Sequence, residues 1–416
     1  MSHKVAPSLH RRFFASRSRI FLCLVAIAAT FMLLNHLFKR REVYTLAQRI
    51  SHPLAVVEDP SQSQSVLADI ASPHDPEPPS EPTRLLCQSL QGLDDIFLVV
   101  RTGASEALQK LTVHFNTTLR CLPEDSYGIW SDLEETIHGH YVGDALNGVS
   151  PGVVDQHPDF DYYKQLKENG REAFSAEEIA AWASAPNSGS GKNTPGWKLD
   201  KWKFLPLAKK AYQQRPDAKW FIFTECDGYI NWTSFMYWLS RHDPSMPYAG
   251  QLMIIEDVEF AYGGASFVIS NAAMKSVTER YMAEIDMYED YTGHHWAGDC
   301  VLGKALKDVG VDFTQAWPTF YSESPFDMDY NSSVTGPDSH LWCYHAMTWH
   351  HLSPSDIEEL SSFEEKWNLE VIFHSISLEK VPNQTNQLAA LDFITSCRCL
   401  PPLGDAEAQS ASGWMG

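Results

Sequence analysis

Short apolar runs that stop abruptly at polar turns mark the chain from Asp94 onward. IFLVVR (Ile96–Arg101) runs into Thr102-Gly103-Ala104 and then into a helix-like stretch opening at Glu106. YGIWSD (Tyr127–Asp132) and WFIFTECD (Trp220–Asp227) have the same texture, and GWKLDKWKFLPLAKKAYQQRP (196–216) between them reads as a helix. Runs of four to eight apolar residues bounded by turns predict buried strands. Strands alternating with helices predict a doubly wound, mostly parallel sheet, an α/β fold of Rossmann-like kind flanked by helices. Ligands gather beyond the carboxyl ends of such strands, which brings Thr102-Gly103, Asp132 and Glu225-Cys226-Asp227 to one rim. The stretch 150–195 is polar and ends in SAPNSGSGKNTPG. It predicts a surface insertion with one helix near 176–185, stopped by Pro186.

The pattern before Asp94 is different. Ile20–Phe38 (IFLCLVAIAATFMLLNHLF) is broken only by Thr30, Asn35 and His36, with Arg17 and Arg19 before it and Lys39-Arg40-Arg41 after. About 20 apolar residues cross a bilayer core, so the length suits a transmembrane signal anchor behind a cytosolic tail, 1–19. The small residues of Ala26–Ala29 leave a cleaved signal peptide as the alternative. Ser72–Thr83 (SPHDPEPPSEPT) is too rich in proline and acid to build a core. Residues 39–92 therefore read as a Pro-rich stem, 93–400 as the folded domain and 401–416 as a disordered tail.

Composition sharpens the compartment and excludes one class of partner. Residues 1–41 hold eight Lys/Arg and no acid, which leaves 24 basic against 53 acidic residues beyond them. Such a body repels a phosphate backbone, so nucleic acid is not expected as a partner. Seven cysteines follow the apolar segment, without zinc spacing, a usage that fits an oxidising lumen. Their odd number implies a free thiol, for which Cys226 is the leading candidate. Asn-X-Ser/Thr triplets at Asn116, Asn231, Asn331 and Asn383 point the same way.

Chemistry concentrates at a few places. Strand alternation turns Glu225 and Asp227 to one side and Cys226 to the other. Two carboxylates side by side at a strand end suit a hard divalent cation bridging to phosphate oxygens; a solvated strand end with a Gly228 turn is the plain alternative. FAYGGASFVIS (Phe260–Ser270) puts Gly263-Gly264 inside an apolar run, where close backbone approach by a ligand is the usual reason. Asp299, in GDCVLGKAL, opens a helix, where an acid is also a sound cap. WCYHAMTWHHL (Trp342–Leu352) offers His345, His350 and His351 as candidate ligands.

Taken in order, IFLVVRTGA, HFNTTLRC, W-S-D, KWFIFTECDGYI, YGGASFVIS, GDCVLGKAL and TWHHL resemble glycosyltransferase family 31, the family of the Fringe proteins and core 1 β1,3-galactosyltransferases, and within it the fungal type II membrane branch. The likeness runs from about Asp94 to Leu352. It implies a GT-A fold and an inverting transferase that uses a UDP-sugar and Mn²⁺. On that resemblance Asp227 and His350 hold the metal, and Asp299 is the general base. Arg101, Thr102, Gly103, Arg120, Asp132 and Glu225 bind the nucleotide, and Gly263 and Gly264 line the sugar pocket. The chain departs from the pattern at Glu225 and Cys226 of the acidic triplet, and at Gly298, where relatives carry an acid beside the Asp299 position.

The expected activity is transfer of a hexose or N-acetylhexosamine, galactose marginally preferred, to a hydroxyl of a glycan or glycoprotein in the Golgi or endoplasmic reticulum. The competing reading is an inactive member that binds glycans or supports a partner transferase. A hydrolase with Glu225 and Asp299 as its carboxylate pair would need them about 5–10 Å apart.

Overall fold

A computed structural model describes residues 81–183, 194–329, 333–336, 339–341 and 344–378. The proposed anchor and most of the stem, the tail beyond 378, Asn331, Asn383, Cys343, Cys397 and Cys399 lie outside the described residues. Among those described, no helix is long and apolar enough to cross a membrane.

An eight-stranded mixed sheet forms the centre. Its strands are β1 (Ile96–Arg101), β2 (Tyr127–Ser131), β3 (Glu135–Ile137), β4 (His140–Asp144), β5 (Trp220–Glu225), β6 (Tyr248–Gly250), β7 (Phe267–Ser270) and β8 (Thr314–Gln315). They lie in the order β8-β6-β7-β5-β1-β2-β4-β3. All neighbours pair in parallel except β7, antiparallel to both β5 and β6, and β3, antiparallel to β4. The mostly parallel sheet with helices over its faces is compatible with a Rossmann-like fold, as the alternation of apolar runs predicts.

Burial on both faces explains why β1 and β5 are apolar up to Val100 and Phe223, with polar residues only at their carboxyl ends. Phe97, Val99, Phe221 and Phe223 enter one core with helices α2 (Phe204–Gln214), α3 (Asn271–Ala283) and α4 (Gly298–Asp308). Ile96, Leu98, Val100 and Ile222 enter a second core on the opposite face with Leu111, Trp232, Phe235 and Phe320. A strand covered on both faces has no polar side to show.

Two boundaries differ from those read in the sequence. The expected helix near 176–185 is present as Ala176–Ala183, but the residues before it are not a mere surface insertion: Pro151–Gln156 and Asp161–Asn169 are also helical, and Phe160, Tyr162, Tyr163 and Leu166 are buried in the first core, while 184–193 lie outside the described residues. The folded body also reaches into the stem. Helix α1 (Glu81–Ser89) is tied to the body by the disulfide Cys87–Cys121, and Thr83 donates to Glu365 on the final helix α5 (Pro354–Leu378). The 196–216 segment is two helices, Pro195–Asp200 and α2.

Asn116 is exposed, whereas the Asn231 side chain caps the helix Trp232–Ser240 by accepting from the Ser234 N–H.

Candidate functional site

The carboxyl ends of β1 and β5 lie in register, Arg101 opposite Glu225. Beyond them opens a cleft of about 190 Å³. Arg101, Gly103, Glu225, Asp227, Gly264, Asp299 and His350, all named from the sequence, line it together.

Alternation separates the acidic triplet as expected. Glu225 and Asp227 face the cleft, while Cys226 is buried, unpaired and accepts a hydrogen bond from the Thr102 hydroxyl. Thr102 therefore looks into the packing layer, and its carbonyl is taken by the Lys203 ammonium. His114, buried four residues after Lys110, holds the Cys226 carbonyl through Nε2 at 2.8 Å.

A second, remote strand brings the histidines. Thr348–Trp349 pairs antiparallel with Tyr229–Ile230, two residues past the triplet, and the Leu352 N–H donates to the Asp227 carbonyl. His350 Nε2 then lies 3.2 Å from Asp227 Oδ1 and 3.5 Å from Glu225 Oε2. His351 follows in the left-handed region (φ 59), a conformation that side chains seldom adopt outside constrained sites. One ligand atom each from Asp227, His350 and His351 fall within 4.8 Å of one another. His345 is not part of this group.

Gly264 lines the cleft, and the glycine pair also makes room for protein side chains. The His350 ring occupies the space a Cβ on Gly264 would need, at 2.3 Å, and the Gly263 N–H donates to Asp299 Oδ2 at 2.9 Å. The glycine pair thus lets protein side chains, rather than only a ligand, approach the backbone. Gly298 is similarly constrained. A Cβ there would fall 2.5 Å from Lys201 Cα and 2.4 Å from the Phe204 ring, so an acid cannot occupy the position without moving the junction between the Pro195–Asp200 helix and α2.

Charges in the cleft are strongly coupled. Arg101 ion-pairs with both Asp200 and Glu225 and stacks over the Phe204 ring at 4.0 Å. Burial alone would raise the Glu225 carboxyl, but Arg101 and then His350 hold it at about 2. Burial likewise opposes ionisation of Asp227, and His350 and Lys110 overcome it, so its carboxyl stays well below the ordinary range. Lys110 Nζ donates to Asp227 Oδ2 at 3.0 Å. For His350 burial is again the largest influence and lowers it, yet the facing carboxylates carry it up to about 10. Asp299 is the exception: burial lifts it to about 6, with the Gly263 N–H and Arg101 only partly opposing.

A divalent cation matches these donors. His350 Nδ1 is buried and makes no hydrogen bond among the described residues, while Nε2 faces the carboxylates of Asp227 and Glu225. Carboxylate oxygen beside imidazole nitrogen is a donor set that Mn²⁺ accepts.

Besides Thr102, which faces the packing layer, two more of the residues expected at the nucleotide lie apart from the open cleft. Asp132 is wholly buried behind Gly103, accepting from the Ala104 N–H and the Ser131 hydroxyl, though its Oδ2 makes no hydrogen bond among the described residues. Arg120 is not at the cleft: its guanidinium pairs with Ser361 and Glu365 under α5. Lys110, His114, Asp200, Trp197 and Trp296 belong to the site or its support and were not singled out from the sequence. His114 opens the HFNTTLRC motif, and Lys110 stands four residues before it, a spacing that puts the two on one side of a helix.

Searches against protein-family models and curated proteins returned no match for this chain.

Proposed function

We propose that this protein is an inverting, metal-dependent glycosyltransferase of GT-A type, similar to family 31, that moves a hexose or N-acetylhexosamine from a UDP-sugar to a hydroxyl acceptor. The observation that carries the reading is the division of labour among its acids. Asp227, with His350 and His351, offers a cation site at a strand end, while Asp299 in the same cleft has a carboxyl raised towards neutrality. A base poised near the working pH is the more effective proton acceptor.

In this reading Asp227, His350 and His351 would hold the cation, which when bound would neutralise charge on the leaving diphosphate. Arg101, fixed by Asp200 and Glu225, contributes positive charge beside the reacting centre. Gly103 leaves room for the nucleotide against Asp132. Asp299, oriented by the N–H groups of Gly263 and Cys300, takes the proton of the acceptor hydroxyl. The acceptor oxygen bonds to the anomeric carbon as that carbon's bond to the diphosphate oxygen breaks, and UDP departs from the opposite face. The reading extends to a single-pass type II membrane protein of the Golgi or endoplasmic reticulum. The Cys87–Cys121 bridge supports an oxidising compartment.

One observation favours the second reading, an inactive glycan-binding or scaffold protein: the Lys110 ammonium already compensates Asp227. The discriminating experiment is UDP release by the purified protein with a panel of UDP-sugars, in Mn²⁺ or EDTA, beside Asp227→Ala. Release that requires Mn²⁺, selects one donor and disappears in the variant supports the transferase. Thermal stabilisation by UDP and Mn²⁺ without release supports the scaffold.

A further inference from the structure

Two Asn-X-Thr triplets lie among the described residues, and the chain folds them differently. Asn116-Thr117-Thr118 closes the short helix Thr112–Phe115. The Asn116 side chain is exposed and makes no hydrogen bond among the described residues. Its two threonines do the anchoring. The Thr117 hydroxyl donates to the Val113 carbonyl at 2.7 Å, and Thr118, 1% exposed, pairs its hydroxyl with His114 Nδ1 at 2.9 Å. The Asn116 amide is thus left to solvent on an anchored turn.

Asn231-Trp232-Thr233 is built into the body instead. The Asn231 side chain is half-buried and its oxygen accepts from the Ser234 N–H at 2.9 Å, while its own backbone N–H donates to the Met347 carbonyl. Trp232 is buried and donates from Nε1 to the Thr118 carbonyl. Thr233 gives both its N–H and its hydroxyl to Glu364 of α5, and Asn368 donates to the same hydroxyl at 2.6 Å. The second triplet therefore lies at the seam where α5 closes beside the Tyr229–Ile230 ladder.

The third residue of such a triplet must present its hydroxyl for an oligosaccharide to be attached. Both hydroxyls are engaged in the fold, so attachment at either place precedes folding, and folding then decides which modified chain reaches the native state. A bulky glycan on Asn116 stands in solvent, whereas one on Asn231 meets the seam that seats the last helix. We propose that Asn116 carries an N-linked oligosaccharide in the folded protein and that Asn231, within the same type of triplet, does not. This rests on the lumenal placement given under the proposed function and is independent of the catalytic chemistry. The co-reactant is an oligosaccharide joined through a diphosphate to a membrane lipid. The Asn116 amide nitrogen bonds to its anomeric carbon as the bond from that carbon to the diphosphate oxygen breaks. The nitrogen gives one proton to a base of the transferring enzyme, and the lipid diphosphate leaves.

The test uses the full-length chain expressed in a eukaryotic host, extracted in detergent and purified in its native state. Digestion with peptide N-glycosidase in heavy-oxygen water turns each glycosylated asparagine into a labelled aspartate, which peptide mass spectrometry reads site by site. Label is expected at Asn116 and absent at Asn231, and Asn116→Gln should migrate faster on a denaturing gel by one glycan. An unlabelled Asn116, an unchanged mobility of Asn116→Gln, or label at Asn231 equal to that at Asn116 overturns the inference. Protease protection in intact microsomes separates the two claims. A protected body with Asn116 unlabelled defeats only the site assignment. A body cleaved in intact microsomes and unlabelled at Asn116 defeats the lumenal placement together with the inference. UDP release by the same preparation reports on the transferase reading alone.

Discussion

Glu225 at the end of β5 and Asp299 at the start of α4 share one cleft and one neighbouring cation, Arg101, yet their carboxyls move in opposite directions. Both are buried enough for desolvation to be the largest influence. Glu225 meets Arg101 in a direct ion pair and has His350 on its other oxygen, so its charge is stabilised beyond the cost of burial. Asp299 meets mainly two backbone N–H groups, which recover only part of that cost. The lesson is that burial sets the stakes and the nature of the partner decides the sign. Groups whose environments push their pKa values apart are suited to different tasks.

That contrast can be broken in order of expected effect. Asp299→Asn removes the proton acceptor and should cut UDP transfer about 10³–10⁴-fold, read as kcat, while the thermal shift given by UDP and Mn²⁺ persists; loss of both together would mean that Asp299 belongs to the donor site instead. Asp227→Ala should weaken Mn²⁺ by more than about 100-fold in a metal titration, since even outer-shell changes cost 10–100-fold. Lys110→Met acts at the same oxygen in the opposite sense. Without the competing ammonium, Mn²⁺ affinity should rise about tenfold, and a fall would assign Lys110 to support of the site.

The pH dependence separates the two acids more gently. Transfer should fall about tenfold per unit below pH 6, because Asp299 must be ionised to accept a proton. Stability follows linkage with opposite signs. Glu225, lowered from an ordinary 4.5 to about 2, contributes stability that is present above pH 4.5 and is lost as pH falls towards 2. Asp299, raised from 3.8 to about 6, contributes stability that is present below pH 3.8 and is lost as pH rises through 6. Urea unfolding from pH 3 to 7 should therefore lose its 4–6 slope contribution in Asp299→Asn and keep the acid-side loss.

The sequence disclosed what depends on short range. The strands of β1 and β5 end where a polar turn follows an apolar run, and alternation separated Cys226 from its two acidic neighbours. The approach of Asp299 to Gly263 and of His350 to Asp227 could be expected only through the resemblance, because nothing local pairs Thr348 with Ile230. The start of the 150–195 stretch was misread for a compositional reason: the Gly/Ser run at its end drew attention from Phe160, Tyr163 and Leu166, which recur three apart and are buried. Arg120 illustrates another limit. Its place in the motif order says nothing of its direction, and α5 supplies Glu365 where the nucleotide was expected. Asp200 and Trp296 carry no motif, and only the folded cleft brings them together.

The pairing of Thr348–Trp349 with Tyr229–Ile230 sets the order in which the site can be completed. The last strand of the central sheet is synthesised by residue 315, but the imidazole facing Asp227 arrives only with residue 350. A ladder of two residues on each side is too short to persist unaided. It is buttressed by α5, whose buried Glu364 receives hydrogen bonds from Tyr229 and Thr233. A chain released before Pro354 would thus retain its central sheet and lack a finished cation site. Quality control that sensed only the sheet would pass it, and only the seating of the last helix distinguishes the finished protein from its unfinished precursor.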